Sequence, residues 1–143
     1  MTTRTALVTG GTGGIGTAIV QRLASIGHKV ATNYRDEAKA TAWQAQMKDK
    51  GFDVTIVPGD VTDFDNAAAM VKAVESAIGP VDILVNNAGI TRDGTFHKMS
   101  PKQWHDVVST NLDSCFNVTR HVIDDIPDGR PVSVERETFP ALL

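Results

Sequence analysis

Residues 6–20 read ALVTGGTGGIGTAIV, with five glycines between an apolar run and an amphipathic one. The run before the glycines has the length and β-branched content of a buried strand, and Ile15, Ile19, Leu23 and Ile26 after them recur at helical spacing. Glycines at such a strand-to-helix turn let backbone approach a ligand closely, and the first helical N–H groups point outward at the positive end of the helix dipole. Gly11, Gly13 and Gly16 fit the pattern G-x-G-x-x-G, which is weak alone but is confirmed when a strand precedes it and a helix follows. The expected ligand is a pyrophosphate. A triphosphate-hydrolysing loop would need Lys after the last glycine, where Thr17 stands.

Working outward, HKVATNY at 28–34, DVTIV at 53–57 and VDILVNN at 81–87 are further strand-like runs bounded by Gly, Asp or Pro. Between them lie helical patterns through Trp43 and Met47, and through Met70, Val71, Val74 and Ile78. A fourth helix opens at Ser100 and Pro101 and carries Trp104, Val107, Val108, Leu112, Cys115, Phe116, Val122 and Ile123 to about Asp125. Alternating strands and helices predict an α/β fold: a three-layer, Rossmann-type, doubly wound parallel sheet, ending after the fourth βα unit.

The 143 residues suit one domain, and a net charge of -3 without like-charge runs disfavours nucleic acid and anionic membrane surfaces. Cys115 is the sole cysteine and the four histidines are scattered, so neither a disulfide nor a metal site is expected. The apolar runs fall well short of the roughly 20 residues of a membrane helix. A cytoplasmic setting is the expectation. The Asn117 sequon lies inside a helical pattern and is read as chance.

In another frame the glycine turn is T-G-x-x-x-G-x-G, with Thr9, Gly10, Gly14 and Gly16, followed by GDVTD at 59–63 and NNAG at 86–89. Together these resemble the short-chain dehydrogenase/reductase family over residues 1 to about 125. VDILVNNAGITRD and NLDSCFNVTRHVID are most similar to its 3-oxoacyl reductase branch, above all to acetoacetyl-CoA reductases. The resemblance implies reduction of acetoacetyl-CoA to 3-hydroxybutyryl-CoA, or of an acyl-carrier-protein thioester, by similar enzymes that are homotetramers. It also implies that Gly10, Thr12, Gly13, Gly14, Ile15 and Gly16 wrap the pyrophosphate, that Asp60 and Val61 flank the adenine, that Asn87, Ala88, Gly89, Ile90 and Thr91 line the nicotinamide ribose, and that Asp93 contacts the acyl thioester. Read without the family, Asp60 is equally a turn or cap residue, and Asp93 a solvated loop residue.

An acidic residue ending the second strand would bond a ribose 2′-hydroxyl and repel a 2′-phosphate; here Asn33, Tyr34 and Arg35 occupy that place. NADPH is expected over NADH, with Asp36 read as the cap of the second helix. Asn111 is expected on the inward face of the fourth helix, where an amide needs partners. In similar reductases this position is a catalytic Asn, working with a Ser and a Tyr-x-x-x-Lys. Tyr34, the one tyrosine, belongs to the adenine end, and residues 126–143 match neither the missing residues nor the family. Residues 1–125 are therefore read as the dinucleotide-binding half of a reductase, and 126–143 as an irregular tail after a broken frame. Two functions stand open: a reductase by descent that is inactive as this chain, and a dinucleotide-binding fragment without catalysis. The sheet order implies an apolar edge at the fourth strand, an uncovered fourth helix and self-association.

Overall fold

The computed structural model describes residues 2–123. The expectations for residues 126–143 lie outside the described residues. Four strands, β1 (Thr5–Val8), β2 (Lys29–Tyr34), β3 (Val54–Pro58) and β4 (Ile83–Val85), form one parallel sheet in the order β3-β2-β1-β4. Helices α1 (Gly14–Ser25), α2 (Glu37–Asp49) and α3 (Phe64–Ile78) make the crossovers. This is the doubly wound arrangement expected from the alternating pattern, with β4 at the edge of the described sheet.

Burial explains why β1 reads as a continuous apolar run. It is paired on both sides, and successive side chains enter opposite cores. Ala6 and Val8 pack with Val20, Val30, Trp43 and Met47 under α1 and α2. Leu7 packs with Met70, Val71, Val74 and Val118 on the other face. Asp36 caps α2, its carboxylate accepting from the Lys39 amide at 3.1 Å. Asp63 caps α3 in the same way through the Asn66 amide at 2.7 Å.

The fourth helix differs from its expected form. It comprises α4 (Pro101–Val108), a π-helical turn at Ser109–Asp113 and α5 (Ser114–Ile123). A capping box between Ser100 and Gln103 starts α4 as expected. The π turn then inserts a residue, and since each α-helical residue advances about 100°, positions before and after it do not share one face. Val118 is fully buried against α3, whereas Trp104, Leu112 and Phe116 are 52%, 66% and 63% exposed. Ile15, expected on the inward face of α1, is 76% exposed because it belongs to the first turn, at the glycine-lined cleft.

Candidate functional site

The site lies at the carboxyl ends of the parallel strands, where open α/β sheets bind ligands at the reversal of strand order. Thr9 ends β1 and is buried; its hydroxyl accepts from the amides of Asn87 and Ala88, each at 3.0 Å. Asn87 returns the contact, its side-chain Nδ2 donating to the carbonyls of Thr9 at 2.9 Å and Gly10 at 3.1 Å. The turn after β4 is thus latched to the glycine turn.

The glycines divide by what they permit. Gly10 adopts φ 64°, the left-handed region that favours glycine. A Cβ at Gly16 would collide with the Gly10 carbonyl and lie 2.7 Å from Gly11 Cα, so close helix-to-turn packing requires glycine there. A Cβ at Gly14 would meet nothing within 4 Å, and at Gly13 only the Gly10 carbonyl at 3.5 Å. Open space therefore sits above the turn. Gly13 is the N-cap of α1 and provides no side-chain cap, unlike Asp36, Asp63 and Ser100 on the later helices. Uncapped first-turn amides facing open space suit an anionic group such as a pyrophosphate.

Two clefts meet along this turn. Gly10, Gly13, Gly14, Ile15, Gly16, Asn87, Ala88 and Gly89 line one. Gly10, Thr12, Asn33, Tyr34, Arg35, Asp60, Val61, Ala88, Gly89 and Ile90 line the other, with Thr62 and Thr110. Ile90 leads on to an apolar groove holding Thr91, Asp93, Phe96, Met99, Trp104, Val107 and Asn111. Each residue expected to hold the cofactor or the acyl thioester, and Asn111, lines one of these three contiguous hollows.

The cleft of Arg35 and Asp60, the expected adenine side, carries the charges. Arg35 is exposed at its rim. Burial pushes the Asp60 carboxyl up, but hydrogen bonds from the Thr62 hydroxyl (2.7 Å) and amide (2.9 Å), together with the Arg35 charge, bring it net below its ordinary value. Asp60 is thus both a turn residue and a cleft residue. Its amide donates to Asn66 Oδ1 at 2.6 Å, which fixes the loop after β3.

Asn111 departs from the inward, core-like position expected for it. It is exposed in the π turn, and its amide bonds the backbone of Ile90 through both atoms. Four contacts were not foreseen. Asn33 ties Gly10 to Gly59; Thr32 accepts from the Gly11 amide at 2.8 Å; Thr110 lines the adenine-side cleft; and buried Asn117 donates to the Val61 carbonyl at 3.0 Å. Polar residues inside apolar strand or helix patterns were the available signal, though not their partners. Among the described residues no cluster suits a metal ion, and no helix is long and apolar enough to cross a membrane.

The model of the short chain dehydrogenase family matches residues 4–134. The chain belongs to the short-chain dehydrogenase family. Among curated proteins, it is 52% identical over 123 residues to nodulation protein G of Azospirillum brasilense and 50% identical over 123 residues to an acetoacetyl-CoA reductase of Allochromatium vinosum. Each match covers 85% of this chain and 50% of the relative. The chain thus spans about half the length of the curated relatives it matches. Among solved structures, a variant of actinorhodin polyketide ketoreductase with NADPH superposes with a TM-score of 0.81 at 37% identity, covering 85% of this chain and 46% of that one. The family resemblance and doubly wound fold expected from the motifs are both borne out.

Proposed function

We propose that this chain is the dinucleotide-binding half, residues 1–125, of an NADPH-dependent 3-oxoacyl thioester reductase that converts acetoacetyl-CoA to 3-hydroxybutyryl-CoA. One observation carries the cofactor choice: Arg35 stands at the rim of the adenine-side cleft while Asp36, the nearby acid, is spent as the α2 cap. A guanidinium there favours a 2′-phosphate, and the carboxylate that would repel it is engaged elsewhere. The similarity to an acetoacetyl-CoA reductase and to a ketoreductase solved with NADPH supports this reading.

The bound nicotinamide would supply hydride to the 3-oxo carbon. The residues of this chain bind and orient. Gly13, Gly14 and the first turn of α1 take the pyrophosphate, Ile15 and Gly16 close that wall, and Thr12, Asp60 and Val61 border the adenine. Asn87, Ala88, Gly89, Ile90 and Thr91 form the ribose and nicotinamide side. Asp93 and the groove of Phe96, Met99 and Trp104 face the acyl thioester, and Asn111 sets the Ile90 backbone from the catalytic side. A carrier-protein thioester would use the same groove.

Tyr34 is the one tyrosine of the 143 residues and lines the adenine-side cleft, away from Asn111. This favours binding without turnover by the chain on its own, since general acid catalysis contributes on the order of 100- to 10,000-fold. Titration of the purified chain with NADPH and NADH, followed by nicotinamide fluorescence, tests the reading. Saturable binding that favours NADPH, without oxidation on adding acetoacetyl-CoA, is expected. Equal affinities would sink the cofactor assignment, and thioester-dependent oxidation the proposal of inactivity.

A further inference from the structure

We propose that Asn33 is a positioning residue that sets the spacing between the pyrophosphate turn and the adenine wall; the inference rests on the dinucleotide reading above. Asn33 lies near the end of β2 and is buried, yet both functions of its amide are used. Oδ1 accepts from the Gly10 amide at 2.9 Å, and Nδ2 donates to the Gly59 carbonyl at 2.9 Å. These partners are 23 and 26 residues away in sequence, in the two loops that bear Thr12 to Gly16 and Asp60 to Val61.

Both partners are themselves constrained. Gly10 holds its left-handed conformation, and Gly59 donates its amide to the Tyr34 carbonyl at 2.9 Å. A Cβ at Gly59 would lie 2.6 Å from Met70 Sδ, so only glycine fits where the loop passes over α3. One planar amide therefore bridges the two walls, and its width fixes their separation. The chemistry requires an acceptor on one side and a donor on the other, which only an amide of this length supplies without charge. A carboxylate would present an acceptor to the Gly59 carbonyl, and an apolar side chain would strand two buried backbone groups.

This predicts a pH-dependent rescue. In Asn33→Asp the new carboxyl is buried and faces the Gly59 carbonyl, both of which raise its pKa above the ordinary range; ionised, it keeps the Gly10 contact but opposes that carbonyl, and once protonated it donates again. The charged groups bordering it across the cleft are Arg35 and Asp60. Arg35 stays cationic throughout, and the lowered Asp60 carboxyl stays ionised above its ordinary range.

The experiment measures NADP+ affinity of the full chain by calorimetry at about pH 8 and about pH 5, as the ratio of Asn33→Asp to wild type. Roughly tenfold weakening at the higher pH that recovers at the lower is expected. Equal binding at both, or equal weakening at both, would overturn the proposal, the latter marking a merely structural residue. Hydrogen exchange gives a second measurement: in the unliganded wild type the Gly10 amide should be protected, and in Asn33→Ala its exchange should speed about tenfold. An unprotected Gly10 in a wild type that binds NADP+ would overturn the clamp alone. Absence of wild-type binding with Gly10 protected would instead overturn the dinucleotide reading, and the positioning role with it.

Discussion

Asn111 and Ile90 form a closed pair: Oδ1 accepts from the Ile90 amide at 2.8 Å and Nδ2 donates to the Ile90 carbonyl at 2.9 Å. The π turn makes this possible by turning Asn111 out of the helix face and toward the loop after β4. Backbone carbonyls in that turn find side-chain donors in the next one, Ser114 Oγ to Thr110 at 2.5 Å and Cys115 Sγ to Asn111 at 3.6 Å. A π-helical insertion often marks a functional site, and here it presents Asn111 to the loop after β4.

Asn111→Ala should cost less than about 1 kcal/mol of stability, because both bonds are solvent-accessible and water replaces them. It should nevertheless speed hydrogen exchange at Ile90 well beyond the change at Thr9. Uniform acceleration over the whole sheet would show that Asn111 supports the fold and not the loop.

Gly16→Ala and Gly14→Ala should separate folding from binding. The first forces a methyl against the Gly10 carbonyl and Gly11, an overpacking that costs roughly 1–3 kcal/mol in thermal unfolding. The second meets nothing and should leave the melting temperature unchanged or raised, while dinucleotide affinity falls because the methyl occupies the pyrophosphate seat. Retained affinity in Gly14→Ala would place the phosphates elsewhere.

Arg35→Ala should remove most of any preference for NADPH over NADH, since a charge-assisted bond to a 2′-phosphate is worth roughly 1.5–3 kcal/mol. NADH affinity should hardly change. Competition binding with both cofactors checks this, and a preference that persists would move the 2′-phosphate to another cation.

Asp60 should couple stability to acid. Its folded-state pKa lies below the ordinary 3.8 despite the opposing effect of burial, through the Thr62 bonds and Arg35. A depressed carboxyl stabilises the fold fully above its unfolded value and loses that contribution as pH falls through the folded one. Thr62→Val should raise the Asp60 pKa, visible by carboxyl NMR titration, and shrink the acid-induced loss. An unchanged titration would assign the lowering to the residue 62 amide and Arg35.

Self-association should follow from the exposed apolar side chains around α4 and α5. Phe96 and Trp104 border one groove, and Phe116 stacks on Phe64 with ring centroids 5.8 Å apart while staying 63% exposed. Two exposed apolar groups of this kind, one on each side of the π turn, favour contact with another chain. Sedimentation of the full chain should show concentration-dependent association, reduced in Leu112→Gln/Phe116→Gln. A monomer at all concentrations would refute this.

Sequence alone determined the elements, their order and the glycine turn, because strand and helix periodicity, caps and turn residues act over a few positions. The apolar run of β1, the Asp36 cap and the uncapped glycine start of α1 are of this local kind. The separation of glycines that face open space from glycines packed into the turn needed the tertiary structure, because Gly14 and Gly16 differ only in what surrounds them. The same holds for Asn33, Asn111 and Asn117. Each reads locally as a polar residue in an apolar pattern, and its role comes from partners 21 to 56 residues away. Ile15 and Phe116 fit helical periodicity yet face outward, because periodicity reports a face without saying whether anything covers it. Packing of α5 against α3 and the rotation introduced by the π turn decided that.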